Sequence, residues 1–140
     1  MPLERIVDSS MRSLKFVLAV VLLVTFSRLV AAQRTVIDDQ RLKVSQRLAG
    51  YVHVRSERIK GVLVEVCASP WKIKGNISCK KLLGSATTDA NGSFSFPSLR
   101  GKGIYYMRFD GSNGLNPLFV RVQLKSSGTP ELSIELPVAT

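Results

Sequence analysis

Seven short runs in which apolar and polar residues alternate are separated by turn residues at intervals of about ten positions, a spacing that predicts an all-β sandwich or barrel. The runs are residues 50–55, 62–66, 82–88, 93–96, 104–109, 118–124 and 132–136. Successive side chains of a strand point to opposite faces, so Val62, Val64 and Val66 share one face. Tyr105, Met107 and Phe109 share another, as do Leu118, Val120, Val122 and Leu124. No window beyond residue 32 has a helical stripe, and seven strands suit a sandwich.

Within that pattern, residues 87–96 read TTDANGSFSF. Asn91-Gly92 suits the positive φ values of a tight turn, so Ser93–Phe96 is expected to pair back on Leu82–Thr88. Asp89 is expected to accept backbone N–H groups across the turn. Phe94 and Phe96 are expected in the core, with Ser93 and Ser95 facing water. Pro97 ends the strand because it cannot donate to a ladder.

The first 32 residues have another character. Lys15 precedes the apolar run FVLAVVLLVTF (16–26), and Val30-Ala31-Ala32 supplies small residues before Gln33. A basic start, a short apolar centre and small residues predict a secretory signal helix over 1–32, cleaved before Gln33. An uncleaved anchor is the alternative, but the run is shorter than the roughly 20 apolar residues of a span. Residues 33–47 are polar and read as a linker or leader with room for a short strand. Residues 48–140 read as one domain. The expected location is secreted, or periplasmic and cell envelope.

Export brings an oxidising compartment, so Cys67 and Cys79 are expected to form a disulfide. Two cysteines and the single His53 do not supply a four-ligand metal site, and no cofactor is expected. No catalytic residue is nominated: nothing places His53 beside a reactive thiol, and Asp89 and Asp110 read as turn residues. The formal charge is +10; residues 1–32 hold 4 of the 20 basic and 2 of the 10 acidic residues, leaving 16 against 8. An exported basic domain is drawn to anionic polymers or surfaces, the alternative being that these charges are solvated loop and strand faces, and nucleic acid is not an expected partner.

Gly61-Val62-Leu63-Val64, Thr88-Asp89-Ala90-Asn91-Gly92-Ser93-Phe94-Ser95-Phe96 and Gly103-Ile104-Tyr105 occur in the order and spacing of a known family. Over residues 48–136 the chain resembles the carboxypeptidase regulatory-like domain. The resemblance implies a seven-stranded, transthyretin-like (prealbumin-like) Greek-key sandwich of the carbohydrate-binding-like class. It implies a non-catalytic accessory module binding carbohydrate or another envelope component. A structural module that oligomerises through a sheet edge is the alternative. A hydrolase of the same architecture needs several His and Arg residues and a Tyr-Arg-Gly-Ser ending, whereas this chain has one His and ends Pro137-Val138-Ala139-Thr140. The chain departs from the family in its insertion SPWKIKGNISCKK (69–81).

That insertion holds the candidate binding residues. Trp71, Lys72 and Lys74 form an aromatic-plus-basic tip able to stack on a sugar or meet an anionic surface; the alternative is that Trp71 folds back over the sandwich edge. Asn76-Ile77-Ser78 and Asn91-Gly92-Ser93 read as glycosylation sequons if the host is eukaryotic.

Overall fold

The computed structural model describes Lys15, Val17 and residues 35–73, 76–112 and 114–140, with the side chains of residues 70–78 outside that set. Apart from Lys15 and Val17, the expected signal helix lies outside the described residues. No helix among the described residues is long and apolar enough to cross a membrane.

The strands in chain order are β1 (Ile37–Ser45), β2 (Ala49–Val54), β3 (Glu57–Arg58), β4 (Leu63–Cys67), β5 (Pro70–Ile73), β6 (Asn76–Cys79), β7 (Leu82–Thr87), β8 (Ser93–Ser95), β9 (Ile104–Asp110), β10 (Leu118–Leu124) and β11 (Leu132–Glu135). Nine of them build two packed sheets. One sheet runs β1-β10-β9-β4-β7. In the other, β11 lines one edge of β2 while β3 and β8 share the opposite edge. β5 and β6 pair as a separate hairpin.

The alternation that predicted strands also fills the core. Val62, Val64, Val66, Met107, Phe109, Val120, Val122 and Ile134 are fully buried between the sheets. Burying each such side chain stabilises the fold by about 1.5–3 kcal/mol. Phe94 and Phe96 are buried as expected, and Phe94 meets Phe109 edge-on with ring centroids 5.4 Å apart. Such a pair adds about 0.5–1.5 kcal/mol beyond its buried area.

Two expectations are corrected and one is filled in. First, the two sheets hold nine strands rather than seven, the additions being β1 and β3. Second, the polar segment 33–47 contains β1, which pairs in parallel with β10 from Ile37↔Leu118 to Ser45↔Leu124. The strand for which 33–47 had room is therefore present, with nine residues. Its apolar positions Ile37 and Val44 are half-buried, and a run of charged residues between them masked the strand signal. Third, β8 does not pair back on β7. It pairs with β2, Gly50 opposite Phe94, while β7 pairs with β4. The Asp89–Gly92 turn thus carries the chain from one sheet to the other. Phe94 and Ala86 both face the core, but from opposite sheets.

The turn is built for that crossing. Gly92 donates to the Asp89 carbonyl at 2.9 Å, and Asp89 Oδ1 accepts the N–H groups of Asn91 and Ser93 at 2.9 Å each. Gly92 has φ +70°, whereas Asn91 stays at negative φ. A Cβ on Gly92 would also lie 2.9 Å from the Val52 carbonyl oxygen, so both backbone angle and space call for glycine. The preceding Thr88 is buried. Its Oγ1 accepts the Val62 N–H at 2.9 Å and donates to the Ile59 carbonyl at 2.8 Å. Thr88 therefore clamps the 59–62 bend, adding to the backbone bonds from Ile59 to Val52 and from Gly61 to Thr88. The Thr-Asp-x-x-Gly pattern is accounted for by this wiring alone.

Candidate functional site

The disulfide forms where expected. Cys67 ends β4 and Cys79 ends β6, with Cα atoms 5.5 Å apart. It ties the β5–β6 hairpin to the five-stranded sheet, with Trp71 opposite Ser78 and Lys72 opposite Ile77. The side chains of Trp71, Lys72 and Asn76, and all of Lys74, lie outside the described residues. Asn91 is exposed on the crossing turn. The hairpin tip and Asn91 belong to different connections, one leaving β5 and the other leaving β7.

A second place has more detailed geometry. β1 and β11 are the outer strands of the two sheets on the same flank. At one end of this flank, Thr129 pairs with Ser45, donating to the Val44 carbonyl at 3.2 Å and accepting from Gln46 at 2.8 Å. At the other end, Leu115 pairs with Val138 and Asn116 donates to the Pro137 carbonyl at 2.9 Å. Between these closures lies a cleft of about 950 Å³. Its walls carry Asp39, Arg41, Lys43, His53, Arg55 and Glu135 over an apolar base that includes Leu118, Ile134 and Leu136.

The β1 wall is shaped by a bulge. Gln40 and Arg41 fall out of register between Asp39↔Val120 and Leu42↔Arg121. Arg121 Nη2 donates to the Gln40 carbonyl and so holds the bulge from β10. Arg41 reaches back to Asp39 with two parallel bonds, Nε to Oδ1 at 3.0 Å and Nη2 to Oδ2 at 3.1 Å. These charge-assisted bonds hold the Asp39 carboxyl below its usual range, against a smaller opposing effect of burial. Bulges re-aim side chains in this manner at functional rims.

The opposite wall is held by His53. A carbonyl oxygen only accepts, so the 2.6 Å contact between Nδ1 and the Arg55 carbonyl places a proton on Nδ1. In the neutral ring, Nε2 then accepts from the Ser133 hydroxyl at 3.0 Å, linking β2 to β11. Arg55 reaches this arrangement with φ 54°, unusual for a side chain of its size. The ring lies 5.8 Å from Tyr51, whose face is covered by the Arg58 guanidinium at 3.6 Å from its centroid. A Ser–His contact invites comparison with an activated nucleophile. In this structure the contact links β2 to β11 at the cleft wall, with Ser133 exposed.

The sequence did not reveal this cleft. Residues 37–43, 53–55 and 133–138 meet only because β1 and β11 each join their sheet through a parallel pairing with a distant strand. Among the described residues, no group of three or more His, Cys, Asp or Glu is placed to hold a metal ion. No protein-family model and no curated protein matches the chain.

Proposed function

We propose that the chain is an exported, non-catalytic β-sandwich module that binds carbohydrate or another polymer of the cell envelope. In this reading residues 1–32 direct export, and the protein acts in the secreted, periplasmic or envelope space. Contact with the membrane is limited to an uncleaved signal. Neither a cofactor nor nucleic acid takes part. The architecture is of the transthyretin-like, carboxypeptidase regulatory-like kind that the 61–64, 88–96 and 103–105 patterns resemble, an analogy of fold that leaves the ligand to be argued from the site.

The observation that supports this reading best is the flank cleft. Its rim alternates donors and acceptors, Lys43 and Arg55 against Glu135 and the Asp39–Arg41 pair, above an apolar base. Such a surface suits a hydroxyl-rich chain, which offers donors and acceptors along its edges and C–H groups on its faces. Trp71, Lys72 and Lys74 on the stapled hairpin are the second proposed contact. Their anchoring by Cys67–Cys79 lowers the ordering cost of binding.

Binding to an array of neutral and acidic glycans tests the reading, followed by titration of the best ligand into Lys43→Ala and Trp71→Ala proteins. Weakened binding in either variant supports the cleft or the tip respectively. A wild-type protein that binds no glycan on the array refutes the carbohydrate reading.

A further inference from the structure

We infer that two copies of the chain pair through β7, antiparallel and centred on Ser85, joining their five-stranded sheets into one. This goes beyond the binding reading and does not depend on it.

Unpaired strand edges invite pairing with other chains, and natural proteins blunt them with charge, proline, bulges or brevity. The other outer strands are blunted in these ways. β1 carries Asp38, Asp39, Arg41 and Lys43, a two-residue bulge, and Thr129 across its end. β11 has four residues, includes Glu135, and is bracketed by Pro130 and Pro137. β8 has three residues and stops before Pro97, and β3 has two. β7 is the exception. Its six residues, LLGSAT, include no charge and no proline. Leu82 is 53% exposed, Leu83 37%, and Leu63 on the adjoining strand 38%.

The backbone of β7 is set up for a partner. Thr88 donates to the Val62 carbonyl, so in this antiparallel ladder Thr88, Ala86 and Gly84 turn their N–H and C=O groups toward β4. Ser85 and Thr87 point theirs away from the sheet. The register irregularity of the β4–β7 ladder falls at Leu83, at the start of the strand, and leaves Ser85 and Thr87 in regular pairing.

Apolar contact selects the register. Centring the two-fold on Ser85 sets Ser85 opposite itself and Leu83 opposite Thr87 of the second copy. Leu63 already lies opposite Thr87 within the chain, so the three residues form one row across the junction and cover Leu63 and Leu83. Centring on Ala86 instead would set Leu83 against Asp89, losing the apolar row. A second copy is therefore the occupant that completes this edge, supplying backbone partners for Ser85 and Thr87 and the apolar row beside Leu63.

Sedimentation of the full chain, produced through a secretory host, tests the inference across a range of concentration. The expected result is a monomer–dimer equilibrium. Ser85→Pro should abolish the dimer and leave the monomer folded, because the Ser85 N–H is outside the β4 ladder. Ser85→Lys, which opposes like charges at the two-fold, should do the same. Ser85→Cys should cross-link copies, since facing residues of such a pair lie about 5.5 Å apart at Cα. Leu83→Cys and Thr87→Cys should cross-link only when mixed. A monomer at every concentration, a dimer that survives both Ser85→Pro and Ser85→Lys, or cross-linking in another register overturns the inference. So does an edge that captures only foreign extended peptides.

Discussion

Replacing Thr88 by valine keeps the shape of the side chain and removes one hydroxyl. That hydroxyl receives the Val62 N–H at 2.9 Å and donates to the Ile59 carbonyl at 2.8 Å, at a residue only 4% exposed. Val62 is fully buried, so its N–H has no water to turn to. A stranded buried donor costs about 1–3 kcal/mol. Ile59 is half-buried, and water reaches its carbonyl more readily, so its share falls at the lower end of that range. The expected loss for Thr88→Val is about 2–4 kcal/mol. Thr88→Ser keeps both bonds and deletes one methyl, for a loss of about 1 kcal/mol. Urea unfolding followed by fluorescence of Trp71 and the tyrosines measures both, provided the slope with denaturant is unchanged. A valine protein within about 0.5 kcal/mol of wild type, below the usual effect of stranding a buried group, would refute the clamp.

Phe94→Ala is expected to lose about 3–5 kcal/mol in the same assay, because it empties a buried site and removes the edge contact with Phe109. Gly50→Ala places a Cβ 2.0 Å from the Leu132 carbonyl oxygen, so β11 must leave β2; the expected signature is rapid hydrogen exchange of the Leu132–Glu135 amides. The Asp39 carboxyl is expected to titrate below its ordinary 3.8, and Arg41→Ala to return it upward, as read by carbon NMR of the side chain. The folded-state value is the depressed one, so the stability this pair contributes is present above pH 3.8 and is lost as pH falls through the folded value. Thiol titration of unfolded, unreduced protein should find no free thiol among Cys67 and Cys79; two titratable thiols would contradict the bond.

How far the sequence could be read follows from what each residue pattern encodes. A two-residue period states directly which side chains are buried, so Val62–Val66, Phe94 with Phe96, Met107 with Phe109, and 118–124 were legible. The period does not name a strand's partner. Asp89–Gly92 fixed the bend of the chain, but the position of β8 on β2 depended on where Phe94 could reach the core. β1 was legible only as room for a short strand, because Asp38, Asp39, Arg41 and Lys43 occupy a strand whose charged groups border a cleft. The Cys67–Cys79 bond needed only composition and an expected oxidising compartment. The cleft depended on parallel pairings between distant segments, and no local pattern records those.

The parallel joining of β1 to β10 and of β2 to β11 also bears on how the chain is made. During synthesis Ile37 appears long before Leu118, and Gly50 long before Leu132, so the first strands wait unpaired for the last. Folds dominated by such distant pairings form slowly, and their apolar strands remain open to wrong partners meanwhile. Nascent chains stalled before Leu118 are expected to be digested by protease throughout β1 and β2. Chains released after Leu136 are expected to resist it. The Cys67–Cys79 link spans only 12 residues, so it can close while most of the sandwich is still unassembled. For this protein, completion is therefore a terminal event, governed by the arrival of β10 and β11 rather than by progressive growth from the first strand.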